Sequence, residues 1–156
     1  KKVAEKTIAN IRSMGMAMTS CILPGVGVPG FSLDDNEIEI GMGIHGEPGV
    51  ERTTVKTAAE LAEILCNRIL EDYDYSDSEV AVMVNGLGAT PLMELYILNN
   101  EVEKILSEKN IKIHKALVGN YMTALEMSGC SITLLKLDDE LMNLLDAPCD
   151  TPALKV

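Results

Sequence analysis

The chain of 156 residues has two histidines, and their surroundings differ. His45 stands in Gly41-Met42-Gly43-Ile44-His45-Gly46-Glu47-Pro48-Gly49, at the end of an alternating segment and among glycines. A neutral imidazole at pH 7 can act as a nucleophile, as an acid–base group or as a hydrogen-bond partner. Gly43 and Gly46 leave room for a ligand to approach the backbone, because no Cβ stands in the way. His45, with Gly43 and Gly46, is therefore the candidate site. A histidine that merely braces the turn is the competing reading. Glu47 either orients the ring or solvates the loop. His114, in Ile111-Lys112-Ile113-His114-Lys115, falls on the strand face opposite Ile111 and Ile113; it reads as a rim histidine, too isolated for a metal site.

The remaining reactive residues carry less. Cys21, Cys66, Cys130 and Cys149 form no Cys-x-x-Cys pair, so zinc binding and redox exchange are not indicated. They read as small hydrophobes in a reducing cytoplasm. Acidic residues are scattered, and no metal site is expected. No Gly-x-x-x-x-Gly-Lys-Ser/Thr loop is present. The Gly-rich turn Asn85-Gly86-Leu87-Gly88-Ala89-Thr90 lacks a lysine, and a plain turn is expected there rather than a phosphate cradle.

These residues need elements to position them. Residues 1–14 place Val3, Ile8, Ile11 and Met14 on one helical face, with Gly15 as a stop. Residues 16–23 read as a strand, followed by a turn-rich excursion over 25–30. Residues 37–44 alternate Ile38, Ile40, Met42 and Ile44 with acidic or glycine neighbours, the period of a half-buried strand. Thr57-Ala58-Ala59-Glu60 is a capping box for a helix burying Leu61, Ile64, Leu65 and Ile69. Residues 80–84 form a short apolar strand. Thr90 as cap and Pro91 as first residue open a helix through Leu95, Leu98, Val102, Ile105 and Leu106, ending at Lys109-Asn110. Strands over 111–118 and 131–137 follow, then a short helix from Asp138 or Asp139 carrying Leu141, Leu144 and Leu145. The order predicts a single α/β domain over residues 1–156, with helices packed on a mixed β-sheet.

Composition narrows the function classes. At 47% apolar and 24% charged residues the chain has the makeup of a globular domain, with Met, Leu, Ile and Val filling the core in the absence of Trp. A net charge of −11 repels phosphate backbones and anionic lipid, against a nucleic-acid or membrane-surface role. No apolar run reaches the ~20 residues of a membrane helix.

Gly41–Gly49 closely resembles the signature of the dihydroxyacetone kinase substrate-binding subunit family. The likeness continues through Asn85–Pro91, through Gly119-Asn120-Tyr121-Met122-Thr123-Ala124-Leu125-Glu126-Met127-Ser128-Gly129, through Ser131-Ile132-Thr133-Leu134-Leu135-Lys136, and to Asp146-Ala147-Pro148 and Thr151-Pro152-Ala153-Leu154. Several motifs in the same order make chance implausible. The resemblance implies that the chain is the C-terminal half of such a subunit, with the earlier half supplying acid–base residues. It implies that His45 bonds through a ring nitrogen to the ketone carbon of dihydroxyacetone as a hemiaminal. It implies a cytoplasmic homodimer when full length, with no cofactor on this chain. ATP, or ADP recharged by a phosphoenolpyruvate relay, would sit with magnesium on a nucleotide-binding partner, and this half alone would be inactive. A dihydroxyacetone-sensing transcriptional coactivator of the same family is the alternative. An unrelated ligand-binding module, such as the fold-related fatty-acid-binding proteins, would need a long apolar pocket and leaves the His45 motif unexplained.

Overall fold

The computed structural model describes residues 1–43 and 48–155. Ten elements follow one another: α1 (Lys2–Asn10), β1 (Ile11–Ala17), β2 (Glu37–Ile40), β3 (Glu51–Thr54), α2 (Ala58–Asp72), β4 (Glu79–Gly86), α3 (Leu92–Glu108), β5 (Lys112–Gly119), β6 (Gly129–Lys136) and α4 (Asp139–Leu145). The six strands form one mixed sheet in the order β3-β2-β1-β6-β4-β5. Only β4 and β5 run parallel, joined by the crossover helix α3; every other neighbouring pair is antiparallel. The expected α/β domain with helices on a mixed sheet is what is observed.

Strand alternation divides the sheet into two unlike faces. On one, Met16, Ile38, Ile40, Val80, Val82, Val84, Ile132 and Leu134 meet Ala62, Leu65, Cys66 and Ile69 of α2 and Leu95, Leu98, Val102 and Leu106 of α3. This layer is the main core. Burial pushes the Cys66 and Cys130 thiols up to about 12, so both behave as the small hydrophobes expected of them. The opposite face carries Ser13, Gly15, Ala17, Glu39, Asn85, Ser131 and Thr133, which are short or polar. Ser13 and Thr133, directly opposed, pair through their hydroxyls at 2.6 Å. Part of that face is covered by α4, where Leu137 and Leu141 pack with Ala81.

Several local expectations hold. Thr57 and Glu60 complete the capping box of α2: Glu60 N–H donates to Thr57 Oγ1 at 3.3 Å, and Thr57 N–H donates to Glu60 Oε2 at 2.9 Å. Asp138 caps α4 by accepting from Leu141 N–H at 2.9 Å. Asn110 takes the left-handed conformation, φ 57°, that ends α3.

Others are corrected. The opening helix stops at Asn10 rather than Met14, and none of its residues is buried. Ile11–Ala17 instead pairs with β6 along seven consecutive positions, from Ile11 opposite Leu135 to Ala17 opposite Gly129. Ile11 and Met14, three positions apart, fit a helical stripe and fall on opposite faces of the strand; the ladder overrides that local period. The strand expected over 16–23 therefore ends at Ala17, where Met18 N–H turns to Ser128 O at 2.7 Å. β2 ends at Ile40, because Gly41, at φ 82°, breaks the extended run; Ile44 lies outside the described residues. Edge strand β3 was not expected from Glu-Arg-Thr-Thr: an exposed, charged edge has no apolar period, and only its pairing to β2 defines it.

The opening of α3 also differs. Pro91 is the N-cap rather than the first helical residue, and Thr90 does not cap. Thr90 is buried, its Oγ1 donating to Gly129 O at 2.7 Å and accepting from Gly129 N–H at 2.9 Å. It staples the β4–α3 turn to the first residue of β6. Thr90→Val, which keeps the shape but removes both bonds, is expected to cost about 1–3 kcal/mol in denaturant unfolding.

Without a buried residue of its own, α1 is tied down by charge. Lys6 Nζ pairs with Asp138 Oδ2 at 2.6 Å and with Glu140. The Lys6 ammonium, then the Leu141 N–H, holds the Asp138 carboxyl below its ordinary value of 3.8, and the two carboxylates raise Lys6 above 10.5. A lowered carboxyl stabilises the fold fully above its ordinary value and loses that contribution as pH falls through the lowered one; the raised ammonium loses its share only above 10.5. The protection of the α1 amides against hydrogen exchange, relative to the unfolded chain at the same pH, is accordingly expected to fall as pH drops below about 3.8, and Lys6→Met to lower it already at neutral pH.

Candidate functional site

The candidate motif lies in the connection from β2 to β3, whose last paired residues are Ile40 and Glu51. Of the sequence-derived site residues, Gly43 is described and half-buried, while His45 and Gly46 lie outside the described residues, as does Glu47. The geometry on the page is that of the frame on either side.

The entry side is pinned at Gly41 and Met42. Gly41 N–H donates to Gly15 O at 2.7 Å. Its φ of 82° is the left-handed region that glycine enters without penalty, and a Cβ there would also stand 2.8 Å from Val50 Cγ2. Met42 is buried with Ala17, Leu87, Ala124 and Met127. Its carbonyl passes over Gly15, where a Cβ would come within 3.3 Å of Met42 O and 3.3 Å of Cys130 O. Gly15, read in the sequence as a helix stop, is thus a close-approach position in the middle of β1.

The exit side is pinned at Gly49 and Val50. Val50 N–H donates to Ile40 O at 2.8 Å. Gly49 N–H donates to Glu39 Oε1 at 2.6 Å. A Cβ on Gly49 would stand 2.5 Å from Ile40 O and would collide with the Glu39 side chain, so no larger residue fits. Glu39 is only 5% exposed, and its Oε2 faces Arg52 Nε of β3 at 3.2 Å. Sequence reasoning missed Glu39. It alternates with Ile38 and Ile40, and a buried acid there has the same pattern as a solvated one.

Two further segments meet this end of the sheet. Asn85, at the end of β4, accepts from Tyr121 N–H at 2.8 Å and Met122 N–H at 2.9 Å through Oδ1, and donates from Nδ2 to Met122 O at 2.8 Å. The turn after it spends its amides on backbone: Leu87 N–H donates to Gly129 O and Ala89 N–H to Met127 O, each at 3.1 Å. Gly88, at φ 134°, lies against Leu125 O, where no Cβ could fit. The expected plain turn is what this segment forms, and it organises the Gly119–Gly129 motif into one surface with the loop carrying Met42.

His114 stands apart. Its Nε2 lies 2.7 Å from Asp146 Oδ2 and its Nδ1 3.5 Å from Glu79 Oε2, while Lys115 Nζ donates to Asp146 Oδ1 at 3.2 Å. The imidazole, then Lys115, holds the Asp146 carboxyl below its ordinary range. This exposed rim cluster joins the end of α4 to β5. An apolar cleft of about 250 Å³, lined by Met16, Met18, Leu61, Leu95, Ile97 and Leu98, opens between α2 and α3 on the other face of the sheet. Among the described residues no helix is long and apolar enough to cross a membrane.

Comparison with known proteins agrees with the motif reading. A chain from Listeria innocua serovar 6a, PTS-dependent dihydroxyacetone kinase 2, dihydroxyacetone-binding subunit DhaK, is 48% identical over 157 residues, covering 100% of this chain and 47% of the relative. A D-erythrulose kinase from Mycolicibacterium smegmatis is 41% identical, over 99% of this chain and 27% of its own length. Among solved structures, the dihydroxyacetone kinase operon co-activator Dha-DhaQ superposes with a TM-score of 0.87 at 30% identity, covering 94% of this chain and 46% of that one. The chain spans about half the length of the dihydroxyacetone-binding subunits it matches. The Dak1 domain matches residues 1–153, and with identity of this order along its whole length the chain belongs to the Dak1 domain family.

Proposed function

We propose that this domain is the C-terminal half of the substrate-binding subunit of a cytoplasmic dihydroxyacetone kinase, and that it captures the ketone covalently through His45. The observation that carries the reading is the 48% identity to a dihydroxyacetone-binding subunit over the whole chain, with the Gly41–Gly49 motif held between two pinned flanks.

The chemistry is an addition. An unprotonated ring nitrogen of His45 forms a bond to the carbonyl carbon; the π electrons move to oxygen, which takes up a proton, and the other ring nitrogen releases one. The product is a neutral hemiaminal. Only a carbonyl accepts this nucleophile, so glycerol is rejected by reactivity, a discrimination that a small pocket achieves poorly by shape. The bond also replaces lost motional freedom and presents a terminal hydroxyl for attack on phosphorus. Dihydroxyacetone and erythrulose share a ketone beside a hydroxymethyl group, so the same capture serves either, and pocket length selects between them. Gly43 and Gly46 give the substrate room beside the backbone.

Phosphoryl transfer requires a nucleotide, ATP or ADP with magnesium, carried by a partner subunit, with a phosphoenolpyruvate-dependent relay as the ultimate donor in the PTS-dependent type. The full subunit acts as a homodimer with acid–base groups from its other half, and this half alone transfers no phosphoryl group. The likeness to the operon co-activator favours a second reading, in which capture serves sensing rather than phosphorylation.

Dihydroxyacetone labelled with carbon-13 at the carbonyl, added to the full-length protein, is expected to change from a ketone to a tetrahedral carbon resonance. His45→Ala should abolish that resonance and lower kcat/KM with the nucleotide partner by about 10²-fold or more, the scale of lost positioning. An unchanged resonance and turnover in the variant would sink the mechanism. Capture without turnover, in the presence of partner and donor, would select the sensor.

A further inference from the structure

We infer that Glu39 is a positioning residue for ketone capture, acting on His45 through the exit of its loop. The inference rests on the capture chemistry proposed above. A carboxylate only 5% exposed has lost most of its hydration, which is costly unless its partners return it. Its ion pair with Arg52, the residue directly opposite in the β2–β3 ladder, does not explain its presence, since apolar residues of similar volume often hold such a place as well. What an apolar side chain cannot do is accept the Gly49 N–H at 2.6 Å.

That bond sits in a matched pair. Gly41, four positions before His45, is fixed to Gly15 O, and Gly49, four positions after it, is fixed to Glu39 Oε1. Pro48, between His45 and Gly49 in the sequence, has its φ set by its ring, which adds a fixed dihedral next to the fixed amide of Gly49. Gly49 has no space for a Cβ against Ile40 O, so its amide is held against the carboxylate on a backbone that cannot shift toward the sheet. The far oxygen faces Arg52 Nε at 3.2 Å as an ion pair without a hydrogen bond, so the Gly49 amide is the carboxylate's one directional contact among the described residues. Glu39 thus sets the loop's exit as Gly15 sets its entrance, without itself touching the ketone.

The test uses the full-length subunit with its nucleotide partner and carbonyl-labelled dihydroxyacetone. Glu39→Gln keeps the shape but cannot accept from Gly49 and face Arg52 with oxygen at both ends. It is expected to raise KM and weaken adduct formation by about tenfold, with kcat at saturating ketone changed much less and the melting temperature near that of the unmodified protein. Glu39→Ala should show a larger loss in the same direction. If His45→Ala abolishes the adduct while both Glu39 variants capture ketone normally, the positioning role is overturned and the proposed function stands. Adduct surviving in His45→Ala brings both down. If both Glu39 variants fail to fold, or lose capture only in proportion to stability, the residue belongs to the sheet and the inference is wrong.

Discussion

The arrangement depends on the absence of a side chain at Gly15. In the middle of β1, flanked by β2 and β6, this residue lets the chain leaving β2 fold back onto the sheet, with Met42 O where a Cβ would press against it. Its carbonyl receives Gly41 N–H, so the same residue makes room for the loop and fixes it. A methyl here would stand 3.3 Å from two backbone carbonyls, those of Met42 and Cys130, so each would have to give by a few tenths of an ångström, and that of Cys130 is held in the β1–β6 ladder.

Gly15 lies on one of the two unlike faces that strand alternation gives the sheet. Stability is concentrated where α2 and α3 cover Ile, Leu and Val from four strands, a dry layer in which cysteines stay un-ionised. The other face carries small and polar side chains beside two small apolar clusters, and its hydrogen bonds are specific and join segments separated in sequence: Asn85 to the chain after β5, Thr90 to the start of β6, Glu39 to Gly49. A loop that has to present a reactive group needs defined anchors more than it needs burial, and polar anchors have direction where apolar contacts do not.

The family context gives this architecture a plain sense. Kinase subunits and an operon co-activator share the same domain, so whatever is held in common must be useful to both catalysis and recognition. The covalent capture proposed above would meet that requirement, because it would select the molecule before anything is done with it. The donor site, by contrast, can be kept elsewhere and exchanged. The turn at Asn85–Thr90, with its amides committed to backbone partners, is consistent with a chain that leaves phosphate handling to another surface.

Much of this was legible in one dimension. The capping box at Thr57–Glu60, the apolar period of α2 and α3, the Asp138 cap and the Gly-rich motif around His45 are local statements, settled by residues within a turn or two of each other. The boundary of α1 was not, because Ile11 and Met14 continue the helical stripe of Val3 and Ile8, and only the seven-position pairing with β6 makes this stretch a strand. β3 was not, since a charged edge strand exists only by virtue of its neighbour. Thr90 looked like a cap because its sequence neighbourhood allows one; its partner, Gly129, is 39 residues away.

By itself, then, the sequence determined the chemistry on offer and the family it belongs to: a single imidazole in a glycine frame, with no phosphate loop beside it. Tertiary structure alone decided which residues hold that frame. Gly15 and Glu39 act through partners brought near by strand pairing, and no local pattern records whether an acid in an alternating strand is solvated or buried against an amide. Side-chain chemistry is written residue by residue, whereas burial and partnership are properties of the assembled sheet.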